Sequence, residues 1–291
     1  VRMGDPEEQG VERMEMIDGK RLYERIYEMG ELGKREDGGL YCLALTTAEK
    51  TALELAAGYM EEAGLAVRYD KAGNLIGRLE GEEPEAAVVM TGSHVDSVYG
   101  GGFFDGRLGV LGGIEAAAAI KKYNVPHRHP IEVCVFRDQE GVRFGGSYCG
   151  SAYMAGQARR DTLHCRDKQG VTVEDALRRL RIDPETVEEA RLPAGYAKAF
   201  IELHIEQGKV LEKAGAPVGI VTGIQSQIRG KFIFTGQSSH GGTVHMEDRH
   251  DALMAAAEVM LELEKAAKAK KTAVVTVGCV DVKPGSINNE V

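Results

Sequence analysis

One glycine-rich loop of the sequence collects side chains that can bind a metal ion. The stretch MTGSHVDSVYGGGFFDGRLG, residues 90–109, follows an apolar run and carries His94, Asp96 and Asp105. Imidazole and carboxylate groups are ligands that divalent ions such as zinc, manganese, cobalt and nickel accept in proteins. The same stretch also fits a solvated loop in which Asp105 begins a helix, since carboxylates are favoured at helix N-termini. The loop alone leaves both interpretations open.

Two later segments favour the metal interpretation. VCVFRDQEGVRFGG places Asp, Gln and Glu at 138–140 after a second apolar run, and FIELHIEQG carries Glu202, His204 and Glu206. Open α/β sheets bind their ligands beyond the carboxyl ends of the strands, so we expect these side chains to converge. Alternation along a strand predicts that Glu202, His204 and Glu206 share one face. An exposed edge with a solvated histidine would fit the same residues.

The elements that must position these groups alternate along the first two thirds of the chain. Apolar periodicity predicts helices at 17–32, 47–63, 106–124 and 171–180, and strands at 65–69, 74–79, 86–91, 131–137 and 200–204. This alternation predicts an α/β fold with a mixed, partly parallel sheet over residues 1–218. A strand at 228–235, a helix at 248–270 and a strand at 272–282 predict a smaller α+β domain over residues 219–291.

Composition excludes several classes of protein. The chain has 291 residues, 43% apolar and 28% charged, with a net charge of −9. That acidity argues against nucleic-acid binding and against attachment to anionic membranes. Five scattered cysteines, at positions 42, 134, 149, 165 and 279, predict reduced thiols and a cytoplasmic location. The glycines at 100–102 form no dinucleotide fingerprint, and no phosphate-binding loop or nucleophile elbow occurs.

Five motifs, in order and spacing, resemble one enzyme family. They are GSHVDSVYGGGFFDGRLGVLGGIEA, DQEGVRFGGSYCGS, ELHIEQGKVLE, GIVTGIQSQIRGKFIFTGQSSHGGT and VKPGSINN. They are similar to those of N-carbamoyl-L-amino-acid hydrolases, allantoate amidohydrolases and β-ureidopropionases, di-metal enzymes of the aminoacylase and carboxypeptidase superfamily. The motif HIEQG indicates this amidohydrolase branch over the peptidases, which disfavours a dipeptidase or an aminoacylase.

The resemblance implies a role for each matching residue. Two divalent ions, of zinc, manganese, cobalt or nickel, would bind at the strand ends of the larger domain. His94 and His204 would bind the first ion, Glu140 the second, and Asp105 would bridge both, while Asp96 would orient His94. The substrate would contact three further residues, namely Gln207, His240 and Asn288. The smaller domain would act as a lid and as the surface of a homodimer.

At one catalytic position the sequence departs from the family pattern. The family has two glutamates before the glycine of this motif, the first being the general base, whereas this chain has Gln139 and Glu140. An amide cannot accept and return a proton, and loss of a general base typically costs about 10²–10⁴-fold in rate. Asp138 is a neighbouring carboxylate, but strand alternation predicts that it faces the other way.

The resemblance also implies a segment that this sequence does not contain. In the family the lid domain continues beyond the position matching residue 291, and the chain then returns to the larger domain with a last histidine ligand. The smaller domain is therefore expected to be incomplete here. Two functions follow as hypotheses: metal-dependent hydrolysis of the carbon–nitrogen bond of a ureido or carbamoyl acid, or a catalytically impaired relative that retains metal or ligand binding and dimerises.

Overall fold

The structure is a computed structural model that describes residues 16–146, 150–224, 226, 228–270 and 272–285. The chain divides into two compact units, Val1–Val218 and Gly219–Val291. Each unit is described by itself.

The first unit is built on a five-stranded mixed sheet. Its strands are β1 (Ala66–Tyr69), β2 (Leu75–Leu79), β3 (Val88–His94), β4 (Ile131–Phe136) and β5 (Ala197–Ile201), in the order β1-β2-β4-β3-β5. β1, β2 and β4 pair antiparallel, whereas β3 is parallel to both β4 and β5. The predicted α/β fold with a mixed, partly parallel sheet is therefore confirmed.

Among the described residues, six helices belong to the same unit, and side-chain caps begin three of them. They are α1 (Gly19–Gly30), α2 (Thr47–Glu62), α3 (Arg107–Lys122), α4 (Gly150–Met154), α5 (Val173–Arg179) and α6 (Val210–Ala214), with 3₁₀ turns at Arg160–His164 and Val187–Ala190. α5 begins with a complete capping box, in which the Asp175 amide donates to the Thr172 hydroxyl and the Thr172 amide donates to the Asp175 carboxylate.

α1, α2 and α3 share one hydrophobic core with the sheet. That core includes residues exposed by 1% or less, among them Leu53, Met60, Leu75, Val110 and Ile114. Small residues let α3 lie close to the strands. A Cβ atom added at Gly113 would come within 3.1 Å of Thr91 and 3.2 Å of Val133. This close approach brings the N-terminal end of α3 to the carboxyl end of β3.

The last strand of the sheet differs from its prediction. β5 covers Ala197–Ile201 and is exposed along its whole length at the sheet edge, rather than covering residues 200–204. Glu202, His204 and Glu206 therefore lie beyond the strand, and the prediction that they share one strand face is wrong. The alternation of side chains holds only while the backbone is paired, and the pairing with β3 ends at Ile201.

The second unit contains one long helix, α7 (Ala252–Lys270), and a 3₁₀ turn at Met246–Asp248. The strands predicted at 228–235 and 272–282 are wrong, because neither segment is part of a β-strand. The described residues of this unit include an isolated bridge between Gln237 and His250. A strand needs a hydrogen-bonded neighbour, and alternation of apolar residues cannot supply one.

No helix in the part of the chain that the structure describes combines the length and the apolar character needed to cross a bilayer.

Candidate metal centre

Three candidate ligands converge at the carboxyl ends of β3 and β5. His94 is the last residue of β3, Asp105 lies just before α3, and His204 lies three residues after β5. Nε2 of His204 is 3.2 Å from Oδ1 of Asp105, and Nε2 of His94 is 3.7 Å from the same oxygen. One potential ligand atom from each residue lies within 4.8 Å of the others.

Hydrogen bonds orient both imidazole rings toward Asp105. Nδ1 of His94 is 3.0 Å from the carbonyl oxygen of Asp96, and Nδ1 of His204 is 2.8 Å from that of Ile205. A carbonyl oxygen can only accept, so each neutral ring carries its proton on Nδ1 and presents a lone pair on Nε2.

The donor set fits a divalent cation. Oδ1 of Asp105 is buried and accepts no hydrogen bond from the described residues, yet it faces two imidazole lone pairs. The two imidazole nitrogens and this oxygen are therefore three electron-pair donors that face one another, and a cation between them would be attracted to all three. Burial lowers the pKa of His94, but the hydrogen bond and charge of Asp96, together with Glu140, raise that pKa above its usual value. These surroundings favour a positive charge at this point.

Asp96 connects the loop after β3 with the loop after β4. Its Oδ1 and Oδ2 accept hydrogen bonds from the backbone amides of Gln139, at 3.2 Å, and Glu140, at 3.0 Å. The same carboxylate is 3.5 Å from Nδ1 of His94. Asp96 itself is only 2% exposed, so the accepting carboxylate is shielded from water. Asp96 thus holds His94 and Glu140 in one framework.

Glu140 and Gln139 both belong to this framework through their backbone amides. Burial raises the pKa of Glu140, the charges of Asp105 and Asp96 raise it further, and His94 and His204 lower it. Glu140 is therefore near enough for its charge to interact with the cluster, although it is outside the group of three whose ligand atoms lie within 4.8 Å. The amide oxygen of Gln139 accepts a hydrogen bond from the Ser151 hydroxyl at 3.1 Å.

Gln207 also reaches the centre. Its Nε2 donates to Oδ2 of Asp105 at 2.7 Å, from a backbone with a φ of +54°. Both oxygens of Asp105 are thereby assigned: one accepts from Gln207 and the other faces the two imidazoles. Gln207, which was expected to contact substrate, thus contacts a candidate metal ligand.

Other acidic residues near these loops have different partners. Glu202 accepts from the Ser93 hydroxyl, and Glu206 accepts from the backbone amide of Leu211 at the start of α6. Asp138 follows β4 with a φ of +52° and is fully buried, so the expectation based on strand alternation does not apply to it. Burial, Asp96 and Glu49 hold its pKa well above the usual range.

The glycines at 100–102 do not wrap the cluster. Gly101 instead exchanges two backbone hydrogen bonds with Leu40, at 3.0 and 3.1 Å. The glycine that the centre does require is Gly106, which has a φ of +68° and lies against the His94 ring. A Cβ atom there would come within 2.6 Å of two ring carbons. The sequence analysis missed Gly106, although its place directly after Asp105 was a signal.

Arg107 was also missed, because an arginine at the first turn of a helix is ordinarily exposed. Here its side chain is fully buried, and Nη2 donates to the carbonyl oxygen of Val95 at 3.1 Å. Burial lowers the pKa of this guanidinium. Arg107 thus holds the backbone between His94 and Asp96, the two residues on either side of Val95.

Two further candidates belong to the second unit. His240 is exposed, and its Nδ1 accepts a hydrogen bond from the Gly242 amide at 3.0 Å. Asn288 lies outside the described residues.

Comparisons with known proteins identify the family of the chain. Residues 78–283 match the family model described as peptidase family M20/M25/M40. An N-carbamoyl-L-amino acid amidohydrolase of Geobacillus stearothermophilus is 48% identical over 94% of this chain and 67% of the relative. Allantoate deiminase 1 of Glycine max is 38% identical over 84% of this chain and 51% of the relative. The chain thus spans about two thirds of the first relative and half of the second.

A solved structure shows the same fold. A hydantoinase/carbamoylase family amidase from Burkholderia ambifaria superposes with a TM-score of 0.72 at 33% identity, over 94% of this chain and 67% of that one. The resemblance drawn from the motifs is therefore confirmed. The alternative of a catalytically impaired relative finds no support in these names, which are names of enzymes. The chain belongs to peptidase family M20/M25/M40, among its hydrolases that act on carbon–nitrogen bonds other than peptide bonds.

Proposed function

We propose that this protein hydrolyses the carbon–nitrogen bond of a ureido or carbamoyl acid, such as an N-carbamoyl-L-amino acid or allantoate, at a centre of divalent metal ions. The observation that carries the proposal is the convergence of His94, Asp105 and His204, whose ligand atoms lie within 4.8 Å of one another. The substrate class is supported by the names of relatives that are 48% and 38% identical.

The ligands divide between two ions in this proposal. His94 and His204 would hold the first ion, Glu140 would contribute to the second, and Asp105 would serve both. A bound divalent ion supplies an acidified water and polarises a carbonyl group. The effect of His94, Asp105 and His204 on the pKa of Glu140 supports a shared centre. Loading with zinc, manganese, cobalt or nickel in turn determines which of these metals supports activity.

The residues around the ions have separate tasks. Asp96 fixes the Nδ1 proton of His94 through its carbonyl oxygen and aligns the loop of Gln139 and Glu140 through its carboxylate. Gln207 holds Asp105 by its Nε2–H and so keeps Oδ1 directed at the imidazoles. The proposal also gives Gln207 a role in substrate binding, because its side chain lies beside the proposed ligand Asp105.

Other parts of the proposal rest on the resemblance alone. His240 would stabilise the oxyanion, Asn288 would bind the substrate carboxylate, and residues 219–291 would form the lid and the surface of a homodimer. A cytoplasmic location also stays a prediction.

The proposal is tested by loading the purified chain with Zn²⁺, Mn²⁺, Co²⁺ or Ni²⁺ in turn. Release of amino acid or ammonia is then measured with N-carbamoyl-L-amino acids, allantoate and a dipeptide. We expect hydrolysis of a carbamoyl or ureido acid that is abolished by EDTA and by Asp105→Asn. Hydrolysis of the dipeptide alone would contradict the substrate class. No hydrolysis by a metal-loaded chain, including the Gln139→Glu variant, would contradict the reaction.

A further inference from the structure

The strand pairing that aligns the two histidine ligands stops before it reaches them. The parallel register between β3 and β5 ends at the pair Thr91 and Ile201. His94 and His204 each lie three residues further along the chain. The backbone ladder therefore leaves the separation of the two imidazoles undetermined, and another contact must set it.

A side-chain hydrogen bond continues the connection toward the ligands. The Ser93 hydroxyl donates to Oε1 of Glu202 at 2.6 Å. Ser93 is 1% exposed and immediately precedes His94, whereas Glu202 lies two residues before His204. Hydrogen bonds from a hydroxyl to an ionised carboxylate are short and about twice as strong as bonds between neutral groups.

Helix α3 also approaches the His204 segment closely. A Cβ atom at Gly109 would collide with the carbonyl oxygen of Leu203, and one at Gly112 would come within 3.1 Å of the Leu203 side chain. The segment between Glu202 and His204 is thus packed against α3 and tied to β3 by the Ser93 bond. These two contacts locate the backbone that carries the His204 ring, whose centroid is 6.1 Å from that of His94.

We infer that Ser93 and Glu202 are positioning residues, whose hydrogen bond sets the spacing of the His94 and His204 imidazoles for the metal. The inference rests on the proposed function, because it assigns a role at the proposed metal centre. Metal–ligand distances tolerate deviations of only about 0.2 Å, so a small shift of one imidazole weakens binding. Neither residue is offered as a ligand.

The test measures Co²⁺ affinity by chelator competition and records the visible spectrum of the Co²⁺-loaded chain, which depends on coordination geometry. We expect Ser93→Ala and Glu202→Ala each to weaken binding by about 10–100-fold, the usual effect of removing a partner of a metal ligand. Each is also expected to change the spectrum. Glu202→Gln keeps an acceptor oxygen and should retain most of the affinity.

Two comparisons separate positioning from general destabilisation. The double variant Ser93→Ala/Glu202→Ala should bind Co²⁺ about as well as either single variant, since both remove one shared bond. The matched control Glu212→Ala, an exposed residue of α6, should leave affinity and spectrum unchanged. Urea unfolding in EDTA checks that Glu202→Ala is folded, which we expect because Glu202 is exposed.

The same measurements distinguish failure of the inference about Ser93 and Glu202 from failure of the proposed metal centre. If the unaltered chain binds Co²⁺ but the single variants keep its affinity and spectrum, the inference about Ser93 and Glu202 is overturned while the metal centre stands. Additive losses in the double variant would also overturn it, because they would show two independent effects. If the unaltered chain binds no Co²⁺, both proposals fail.

Discussion

Nε2 of His204 lies 3.2 Å from Oδ1 of Asp105. The two residues are far apart in the sequence, with the 98 residues Gly106–Leu203 between them. The contact joins the start of α3 to the segment that follows the edge strand β5. It places a buried carboxylate oxygen between two imidazoles whose Nδ1 atoms are already bonded to carbonyl oxygens. Asp105 is therefore the centre of the proposed site, and its charge is the property to test first.

Removal of that charge should weaken metal binding more than any other single change. In Asp105→Asn one oxygen becomes an NH₂ group, which cannot bind a cation, and the bridging charge is lost. Loss of a residue that hydrogen-bonds to a metal ligand costs up to about 100-fold in affinity. Because Asp105 is itself a proposed ligand, we expect affinity for Zn²⁺ or Co²⁺ to fall by at least that factor. Chelator competition and metal analysis of the dialysed protein measure this.

Asp161→Asn is the matched control for that experiment, because Asp161 is exposed and paired with Arg159 at the protein surface. It should leave the metal content unchanged. An Asp105→Asn variant that retains the metal of the unaltered chain would show that the three side chains do not form the binding site.

Asp96 should affect both stability and metal binding. Its two carboxylate oxygens accept from the amides of Gln139 and Glu140, and Asn at this position could accept only one of these bonds. An amide left without its acceptor in a buried place costs about 1–3 kcal/mol of unfolding free energy. We expect Asp96→Asn to lose that amount in urea unfolding, and about 10–100-fold in metal affinity.

Asp37→Asn provides the comparison for Asp96→Asn. Asp37 also accepts two hydrogen bonds, from the Gly39 amide and the Tyr41 hydroxyl, but it is exposed. Water can replace a lost partner there, so the effect on unfolding should be smaller. Equal effects of the two substitutions on stability, with unchanged metal affinity in both, would contradict the role given to Asp96.

Gln139 should respond to the return of a carboxylate. The resemblance places residue 139 where the family has its general base. The side-chain oxygen of Gln139 accepts from the Ser151 hydroxyl, and its backbone amide donates to Asp96. A general base contributes about 10²–10⁴-fold, so Gln139→Glu should raise kcat for a carbamoyl substrate within that range. Gln139→Ala is the control and should give no increase. A Gln139→Glu variant with unchanged kcat and full metal content would place the base elsewhere.

The sequence predicted the sheet well wherever local patterning and pairing agree. The β1–β2 hairpin, the buried strands β3 and β4, and the small-residue helix α3 all occur near their predicted positions. In each case apolar periodicity coincides with a partner that is close in the sequence or fixed by a crossover helix. His94 and Asp105 follow directly from these elements, because they lie at the ends of β3 and α3.

The errors arise where the outcome depends on contacts distant in sequence. Strand β5 ends at Ile201 because its pairing with β3 ends there, which alternation along 200–206 cannot reveal. The segments 228–235 and 272–282 have strand-like patterns but no paired neighbour among the described residues. The buried Arg107 was missed for a similar reason, since only the tertiary fold shows that the Val95 carbonyl lies within its reach.

The buried carboxylate of Glu49 should give the protein a measurable pH dependence. Burial raises the pKa of Glu49, and the charge of Asp96 raises it further, while Arg137 opposes both. The folded state therefore holds this proton more tightly than the unfolded chain, where the pKa of glutamate is about 4.3. The stabilisation that the protonated group provides is complete below that pH and is lost as the pH rises through the folded-state pKa.

Glu49→Gln removes this titration but keeps an oxygen that can accept from the Leu45 amide, the bond that Glu49 now makes at 2.9 Å. We expect the unfolding free energy of the unaltered chain, relative to that of the variant, to decrease from about pH 4 upward. Urea unfolding in EDTA between pH 4 and 8 measures the difference. A difference independent of pH would contradict the raised pKa of Glu49. A difference that grows with pH would show that folding lowers this pKa.

The cysteines should separate into protected and reactive thiols, as expected for structural residues in a reduced protein. Burial raises the pKa of Cys42 to about 12, with Glu49 and Asp96 adding to the rise and Arg107 opposing it. Cys42 is fully buried, whereas Cys279 is exposed. Because the thiolate is the reactive form, a thiol with this pKa reacts at pH 8 about 10³-fold more slowly than an ordinary one. Iodoacetamide followed by peptide mapping should therefore modify Cys279 long before Cys42, and urea should abolish the difference. Modification of Cys42 at the rate of Cys279 in the folded protein would show that the core beside Arg107 opens to solvent.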